Sequence, residues 1–337
     1  MIPPRLRHLV RVTISLGLLA LMAVLLDAGE VIELLLNADP TWLLFALAIT
    51  VLQVLLSAWR WRFTAGRLGL TLPFPAAVRE YYLATFINQV LPGGVLGDAA
   101  RAWRHGRNTG ALGAATRAVI LERASGQAAM LLMVLLTLAA SPGLLASMVQ
   151  HLPGGAVLQS GALLLCITGI ALLALRLGPV RLHRGLGADA YRTLLAADAF
   201  FIQLLTSLLV VSSYMAVFLI VARAVGLDAP LLTLAPLIAL TLLAMLIPAS
   251  IAGWGLREGA AALVWPLAGL EATGGVAASV AYGIVILIAS LPGALLLGAG
   301  RNRTAHPPPC GSGGTPDAVP HPASPPAAAS GRDARNR

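Results

Sequence analysis

Residues 81–101 read YYLATFINQVLPGGVLGDAAR, an apolar run that one proline and two glycines interrupt. Pro92 stops a helix, and Gly93 and Gly94 do not favour a new one. The part before the break has only about 11 residues, whereas a helix needs about 20 to cross a bilayer. Because lipid offers no hydrogen bonds to the freed backbone, this segment must be buried in protein or face water. The stretch therefore predicts a re-entrant hairpin.

The return limb of this hairpin is expected to begin near Gly97. Asp98 can cap the new helix, and Arg101 follows three residues later on the same helical face. Asn88 lies just before the break, where its amide can bond freed backbone groups or a lipid headgroup. These residues predict an Asp98–Arg101 ion pair at the start of the return helix.

A second stretch, residues 239–259, reads ALTLLAMLIPASIAGWGLREG and resembles the first. An offset of 156 residues aligns the three structurally costly residues, placing Pro248 on Pro92, Gly253 on Gly97 and Arg257 on Arg101. Two such hairpins in halves of opposite orientation are typical of a transport site near the middle of the membrane. Two spans kinked at proline are the alternative, and they would leave the topology unchanged.

The composition around these stretches is that of a membrane protein. Of 337 residues, 58% are hydrophobic and 11% are charged, and the mean hydropathy is +0.84; soluble chains have about 25% charged residues. This excludes a soluble enzyme. The two cysteines exclude a disulfide scaffold. The net charge is +9, and the sequence contains arginine but no lysine. In a membrane protein the positions of the arginines indicate the topology, so we predict no nucleic-acid partner.

Six runs are long or apolar enough to be spans. We expect the first run to remain in the protein as a membrane helix and not to be cleaved as a secretory signal. The six runs are Val12 to Leu26, Trp42 to Ala58, Ala124 to Ala140, Val157 to Leu175, Ala199 to Ala222, and Ala272 to Gly300. The sequence thus predicts an all-α polytopic protein with about six full spans and two re-entrant hairpins in an inverted pair. If the hairpins cross, the count is eight spans.

Arginine placement predicts the orientation. With both termini in the cytoplasm of an inner-membrane protein, 21 of the 23 arginines lie inside. Residues 1–300 form the predicted membrane domain. Residues 301–337 contain eight of the 22 prolines and too few apolar residues to fold, so we expect a disordered cytoplasmic tail.

Charged residues among apolar segments mark a path for a polar group. Guanidinium groups match phosphate oxygens in two-point contacts, which makes Arg101, Arg123 and Arg257 candidates for binding a lipid headgroup. Asp98, Glu122 and Glu258 are the expected charge partners, with Arg257–Glu258 a second expected ion pair. The run Trp59-Arg60-Trp61-Arg62 is predicted to anchor a span at the headgroups.

Enzyme chemistry has little support in the sequence. The serines have no histidine at a motif spacing, no lysine can complete a phosphate-binding loop, and the six histidines lack metal-ligand spacing. We predict no metal and no cofactor. A membrane-embedded transferase that uses Asp98 and Glu122 remains an alternative.

With these residues in view, the chain resembles the transmembrane region of the lysylphosphatidylglycerol synthase family. The resemblance covers about residues 5 to 300. It depends on the Trp-Arg-Trp-Arg run, on Asn88 through Arg101, on residues 122–126 (Glu-Arg-Ala-Ser-Gly) and on residues 247–259. Leu96 stands where the family pattern has another glycine.

This resemblance implies a flippase or scramblase that moves a phosphate-bearing membrane lipid between leaflets. The aminoacyl transfer domain of two-part relatives is not expected here, so synthesis of such a lipid is not implied. Relatives linked to glycolipid, hopanoid and polyprenyl-phosphate pathways leave two alternatives: a transferase, or an accessory scaffold that binds a lipid-synthesis enzyme.

Overall fold

The computed structural model describes residues 28–91, 94–151, 185–247 and 250–303, together with residues 13 and 17. All regular structure in these ranges is helical. Its α-helices are α1 (Ala28–Leu36), α2 (Pro40–Arg67), α3 (Phe74–Val90), α4 (Leu96–Thr109), α5 (Leu112–Ala139), α6 (Pro142–His151), α7 (Leu186–Ala190), α8 (Ala197–Ala224), α9 (Leu231–Leu243), α10 (Leu256–Val264) and α11 (Ala272–Arg303).

Four of these helices, α2, α5, α8 and α11, are long and apolar enough to cross a membrane. The 28 residues of α2 extend over about 42 Å, more than the hydrocarbon core of a bilayer. These helices contain four of the six predicted spans, and they show a multi-pass membrane protein. The predicted spans at residues 12–26 and 157–175 and the predicted tail lie outside the described residues, apart from Thr13, Gly17 and the last turn of α11.

Two spans are longer than their apolar runs suggest. α2 continues through the Trp-Arg-Trp-Arg run to Arg67, and α5 begins 12 residues before Ala124. Both extensions contain charged residues that are buried inside the protein, among them Arg60 and Glu122. Hydropathy assigns such residues to loops, although an internal ion pair lets the helix continue through them.

The first broken stretch is a helix, a short break and a second helix. α3 has 17 residues, which is longer than expected, because it begins at Phe74 rather than near Tyr81. It ends where Leu91 adopts an extended conformation, as residues before proline prefer to do. Pro92 and Gly93 lie outside the described residues, and Gly94 has a positive φ of 61°.

Close packing between two helix backbones explains why residue 97 is a glycine. A Cβ atom at Gly97 would lie 2.0 Å from the carbonyl oxygen of Ala84, so the first turn of α4 contacts the backbone of α3 directly. Two residues earlier, on another face of α3, the backbone of α11 comes equally close, since a Cβ atom at Gly293 would lie 2.3 Å from the carbonyl oxygen of Tyr82.

The second broken stretch has the same order of elements but a longer break. α9 is followed by a 3₁₀ turn at Ala244–Leu246, and α10 begins only at Leu256. Between them, Ala252, Gly253 and Gly255 all have positive φ angles of 51°, 84° and 85°. Gly97 and Gly253, which align in sequence, therefore have different roles: one allows close packing and the other a left-handed turn. Pro248 lies outside the described residues.

Candidate functional site

The two broken stretches meet at one cavity of ≈ 320 Å³. Asn88, Gly94 and Asp98 line it from the first stretch, and Ile247 and Ser250 line it from the second. Helices α2, α5, α8 and α11 complete the wall. The non-helical backbone of both breaks thus borders a space that is lined by protein.

Five charged side chains form a continuous chain beside this cavity. Arg60 of α2 pairs with Glu122 of α5, whose other oxygen accepts a hydrogen bond from Arg101 Nη2 at 2.7 Å. Arg101 in turn bonds Asp98 through Nε at 2.9 Å, and the second oxygen of Asp98 pairs with Arg123. The chain thus joins α2, α4 and α5 through alternating charges, and it includes the predicted Asp98–Arg101 pair.

Exposure separates the members of this chain. Arg101 and Glu122 are buried at 0% and 1% exposure, whereas the Arg123 side chain is 40% exposed. Arg123 lines the cavity and also donates to the carbonyl oxygen of Gly94 at 3.3 Å. Of these three predicted site residues, Arg123 and Glu122 border the cavity and Arg101 lies behind its wall.

Two aromatic rings hold Arg101 in place. Its guanidinium carbon lies 4.7 Å from the ring centroid of Trp61 and 4.7 Å from that of Tyr81. Stacking of this kind suits a weakly hydrated guanidinium in a dry environment. Its Nη1 atom is buried without a hydrogen-bond partner, so the aromatic faces offset part of that cost.

A second, smaller charge cluster surrounds Arg257. Its Nη2 atom lies 2.6 Å from Glu258 Oε1, and Ser279 bridges the two side chains at 2.7 and 2.9 Å. Trp254 and Tyr282 flank the guanidinium with centroids 5.3 and 5.1 Å away. The predicted Arg257–Glu258 pair is thus present, and it is buried behind the cavity, which Tyr282 lines.

The two clusters share a plan. Each aligned arginine, Arg101 or Arg257, is buried between one tryptophan and one tyrosine, and each pairs with a glutamate. Gly283 makes room for the second guanidinium, because a Cβ atom there would lie 2.5 Å from Arg257 Nη2. The sequence alignment therefore corresponds to a likeness in side-chain environment.

Asn88, and not Asp98, caps α4, which corrects the expected cap. The Asn88 side chain accepts a hydrogen bond from the Gly97 N–H at 2.8 Å and donates to Asp98 at 2.9 Å. Because α4 begins at Leu96, Asp98 lies inside the first turn, where its carboxylate binds the arginines. Asn88 thus bonds a freed N–H across the break.

The Trp-Arg-Trp-Arg run is divided between two faces of α2. Trp59 and Arg62 are exposed, so only these two members of the run can contact headgroups as predicted, whereas Arg60 and Trp61 are buried at 4% and 0%. At 100° per residue the first and last members of such a run point away from the middle two. The inward pair contributes to the charge chain and to the Arg101 stack instead.

A buried polar face of α2 was not anticipated from the sequence. Gln53, Ser57, Arg60 and Thr64 are all buried and follow the i, i+4, i+7, i+11 spacing of one helical face. The recurrence of polar residues at this spacing within an apolar run is the sequence signal that could have revealed this face. Ser57 on this face and Ser250 in the second break line the cavity, and the Oγ atom of each is buried without a hydrogen-bond partner.

Comparison with known protein families gives a match that covers the cavity and both charge clusters. The model of the family described as lysylphosphatidylglycerol synthase TM region matches residues 8–293.

The chain belongs to this family. The matched residues include both broken stretches and both charge clusters, so the cavity lies entirely within the lysylphosphatidylglycerol synthase TM region. No curated protein and no solved structure matches the chain. Within the ranges that the structure describes, no group of three or more His, Cys, Asp and Glu side chains is arranged to hold a metal ion.

Proposed function

We propose that this protein is a flippase or scramblase that moves a phosphate-bearing lipid between the leaflets of the inner membrane. The observation that carries the proposal is the cavity between the two helix breaks, which the partly exposed side chain of Arg123 lines. Guanidinium is the side-chain group best matched to phosphate oxygens. Membership in a family named for a lipid-modifying enzyme supports a lipid as the cargo.

The cavity offers groups for both ends of a lipid. Its lining includes polar side chains, among them Arg123, Asn88 and Gln127, and apolar side chains, among them Val54, Met130 and Val210. In the proposed mechanism the headgroup binds the polar side chains while the acyl chains contact the apolar ones. The two broken stretches act as an inverted pair of re-entrant hairpins that open the cavity alternately to each leaflet.

Arg101 and Arg257 are assigned a positioning role in this mechanism. Each guanidinium is enclosed between two aromatic rings and paired with a glutamate behind the cavity wall. They hold their hairpins in register while Arg123 contacts the phosphate. The arginine bias supports cytoplasmic termini, with most of the positive charge on that side.

Translocation of a labelled lipid tests the proposal. The full chain is reconstituted in liposomes with fluorescent phosphatidylglycerol, and the fraction that a membrane-impermeant reductant bleaches is followed over time. We expect faster exchange than in protein-free liposomes, and a large loss of rate in Arg123→Gln. The matched control is Arg79→Gln, which removes an exposed arginine from α3 outside the cavity.

The outcome that would overturn the proposal is an exchange rate equal to that of protein-free liposomes, with protein that elutes as a folded species. Conversion of a labelled lipid phosphate in the presence of a sugar or phosphate donor would instead identify a transferase. Activity that survives the loss of every buried charge, with a lipid-synthesis enzyme co-purifying, would identify a scaffold.

A further inference from the structure

The charges at the cavity do not cancel. Three guanidiniums, those of Arg60, Arg101 and Arg123, face two carboxylates, those of Asp98 and Glu122. The second cluster is neutral because Arg257 pairs with Glu258. At neutral pH the described charge chain therefore has one positive charge in excess.

An uncompensated charge inside a membrane is costly unless a ligand or water offsets it. The excess is placed where a ligand can reach it, since Arg123 is the half-exposed end of the chain and borders the cavity. The remaining members are almost completely buried. The arrangement thus has a place for one anion, next to Arg123.

Both carboxylates are already used by arginines. Glu122 pairs with Arg60 and Arg101, and Asp98 pairs with Arg101 and Arg123 and also accepts from Asn88. The negative charge of each carboxylate is thus already offset by arginine. The ammonium group of an aminoacylated headgroup would meet the excess positive charge in this cavity without an unpaired carboxylate to neutralise it.

Two hydroxyl groups add donors for phosphate oxygens. Ser57 on α2 and Ser250 in the second break are 1% and 2% exposed, and their Oγ atoms have no hydrogen-bond partner. Both line the cavity. Buried polar atoms are rarely left unsatisfied, so these two hydroxyls are available to a ligand in the cavity, where each can donate to a phosphate oxygen.

We propose that the cavity selects lipids whose headgroup has one net negative charge, such as a phosphodiester, and rejects aminoacylated lipids with a net positive charge. This inference rests on the proposed function and names the substrate class of that site. We expect a zwitterionic lipid to be exchanged at an intermediate rate, because its amine would also meet the excess positive charge.

Exchange rates for three lipids in the same assay test this selection. The full chain is given labelled phosphatidylglycerol, phosphatidylethanolamine and lysyl-phosphatidylglycerol, with net charges of about −1, 0 and +1. We expect phosphatidylglycerol to exchange at least about tenfold faster than the lysyl form, because one unit charge at close range has at least this effect in a protein interior. In Arg123→Gln the excess charge is removed, so the preference should fall toward equality, whereas Arg79→Gln should keep it.

The wild-type ratio decides the proposal even where Arg123→Gln does not fold. Equal rates for the three lipids, or a faster rate for the lysyl form, would overturn the charge selection and leave the lipid translocation itself intact. No exchange of any lipid would contradict the proposed function instead. An unchanged ratio in folded Arg123→Gln would show that another group makes the selection.

Discussion

Arg101 donates to Glu122 across 2.7 Å, and both side chains are excluded from solvent. The bond joins α4, which follows the first break, to the membrane-spanning helix α5. It is one link in the chain of five charges, so its removal affects Arg60 as well as Arg101. The position of the first broken stretch in the protein depends on this link.

Glu122→Ala should therefore destabilise the protein strongly. Truncating one member of a buried ion pair typically costs about 3–5 kcal/mol, because the remaining charges stay buried without a partner. Thermal unfolding of detergent-purified protein measures the effect. Asp228→Ala is the matched control, since the Asp228 side chain that pairs with Arg223 is 99% exposed and should contribute about 1 kcal/mol or less. Equal losses in both variants would contradict the special position of Glu122.

Gly97→Ala tests the contact between the backbones of α3 and α4. The new methyl group would lie 2.0 Å from the carbonyl oxygen of Ala84, so the two helices must separate, at a cost of about 1–3 kcal/mol. Gly66→Ala is the control in helix α2, where a Cβ atom meets nothing within 4 Å and alanine should stabilise by up to about 1 kcal/mol. The two midpoints of thermal unfolding are expected to move in opposite directions.

Asn88→Ala removes the side chain that bridges the first break. The Gly97 N–H then loses its acceptor and Asp98 loses a donor. An unsatisfied buried donor costs about 1–3 kcal/mol, and the start of α4 should exchange its amide hydrogens faster. The adjacent Gln89→Ala serves as a control by hydrogen exchange and unfolding. Protection at Gly97 that is identical in both variants would show that Asn88 is not the cap.

Trp61→Ala and Trp59→Ala separate the two faces of α2. Trp61 is fully buried against Arg101, and deletion of a buried tryptophan typically costs about 3–5 kcal/mol. Trp59 is 37% exposed and stacks on Phe63 of the same helix, so its loss should change the unfolding midpoint little in detergent. A larger drop in the unfolding midpoint for Trp59→Ala than for Trp61→Ala would contradict this assignment of the buried and exposed faces.

Much of the fold follows from the apolar runs. Four spans and both breaks occur where the sequence predicts them, because helix length and proline placement are strong local signals. The ends of α2 and α5 were not predictable in this way. Arg60 was expected at the end of a span as a headgroup anchor, and Glu122 was expected as a charge partner. Their pairing with each other joins residues 62 positions apart and is a property of the tertiary structure.

The local ion pairs of the site were predictable from the sequence, whereas the residues that border the cavity and the cap of α4 were not. The expected ion pairs at Asp98–Arg101 and Arg257–Glu258 are close in sequence and are present. Which arginine borders the cavity depends on how α4 and α5 rotate about their axes, and the sequence has no direct signal for that rotation. The cap illustrates the same limit, since Asn88 reaches Gly97 only because α3 and α4 touch.

The two glycine contacts of α3 restrict how the protein can move. Gly97 and Gly293 bring the backbones of α4 and α11 against α3 at Ala84 and Tyr82, which leaves no space for sliding. We expect these three helices to move as one rigid body, with spin labels on α3 and α11 reporting the same separation with and without lipid. A hinge for the proposed opening must then lie outside these contacts. The second break, where Ala252, Gly253 and Gly255 have positive φ angles and where Ala252 and Gly253 line the cavity, is the segment that we expect to supply it.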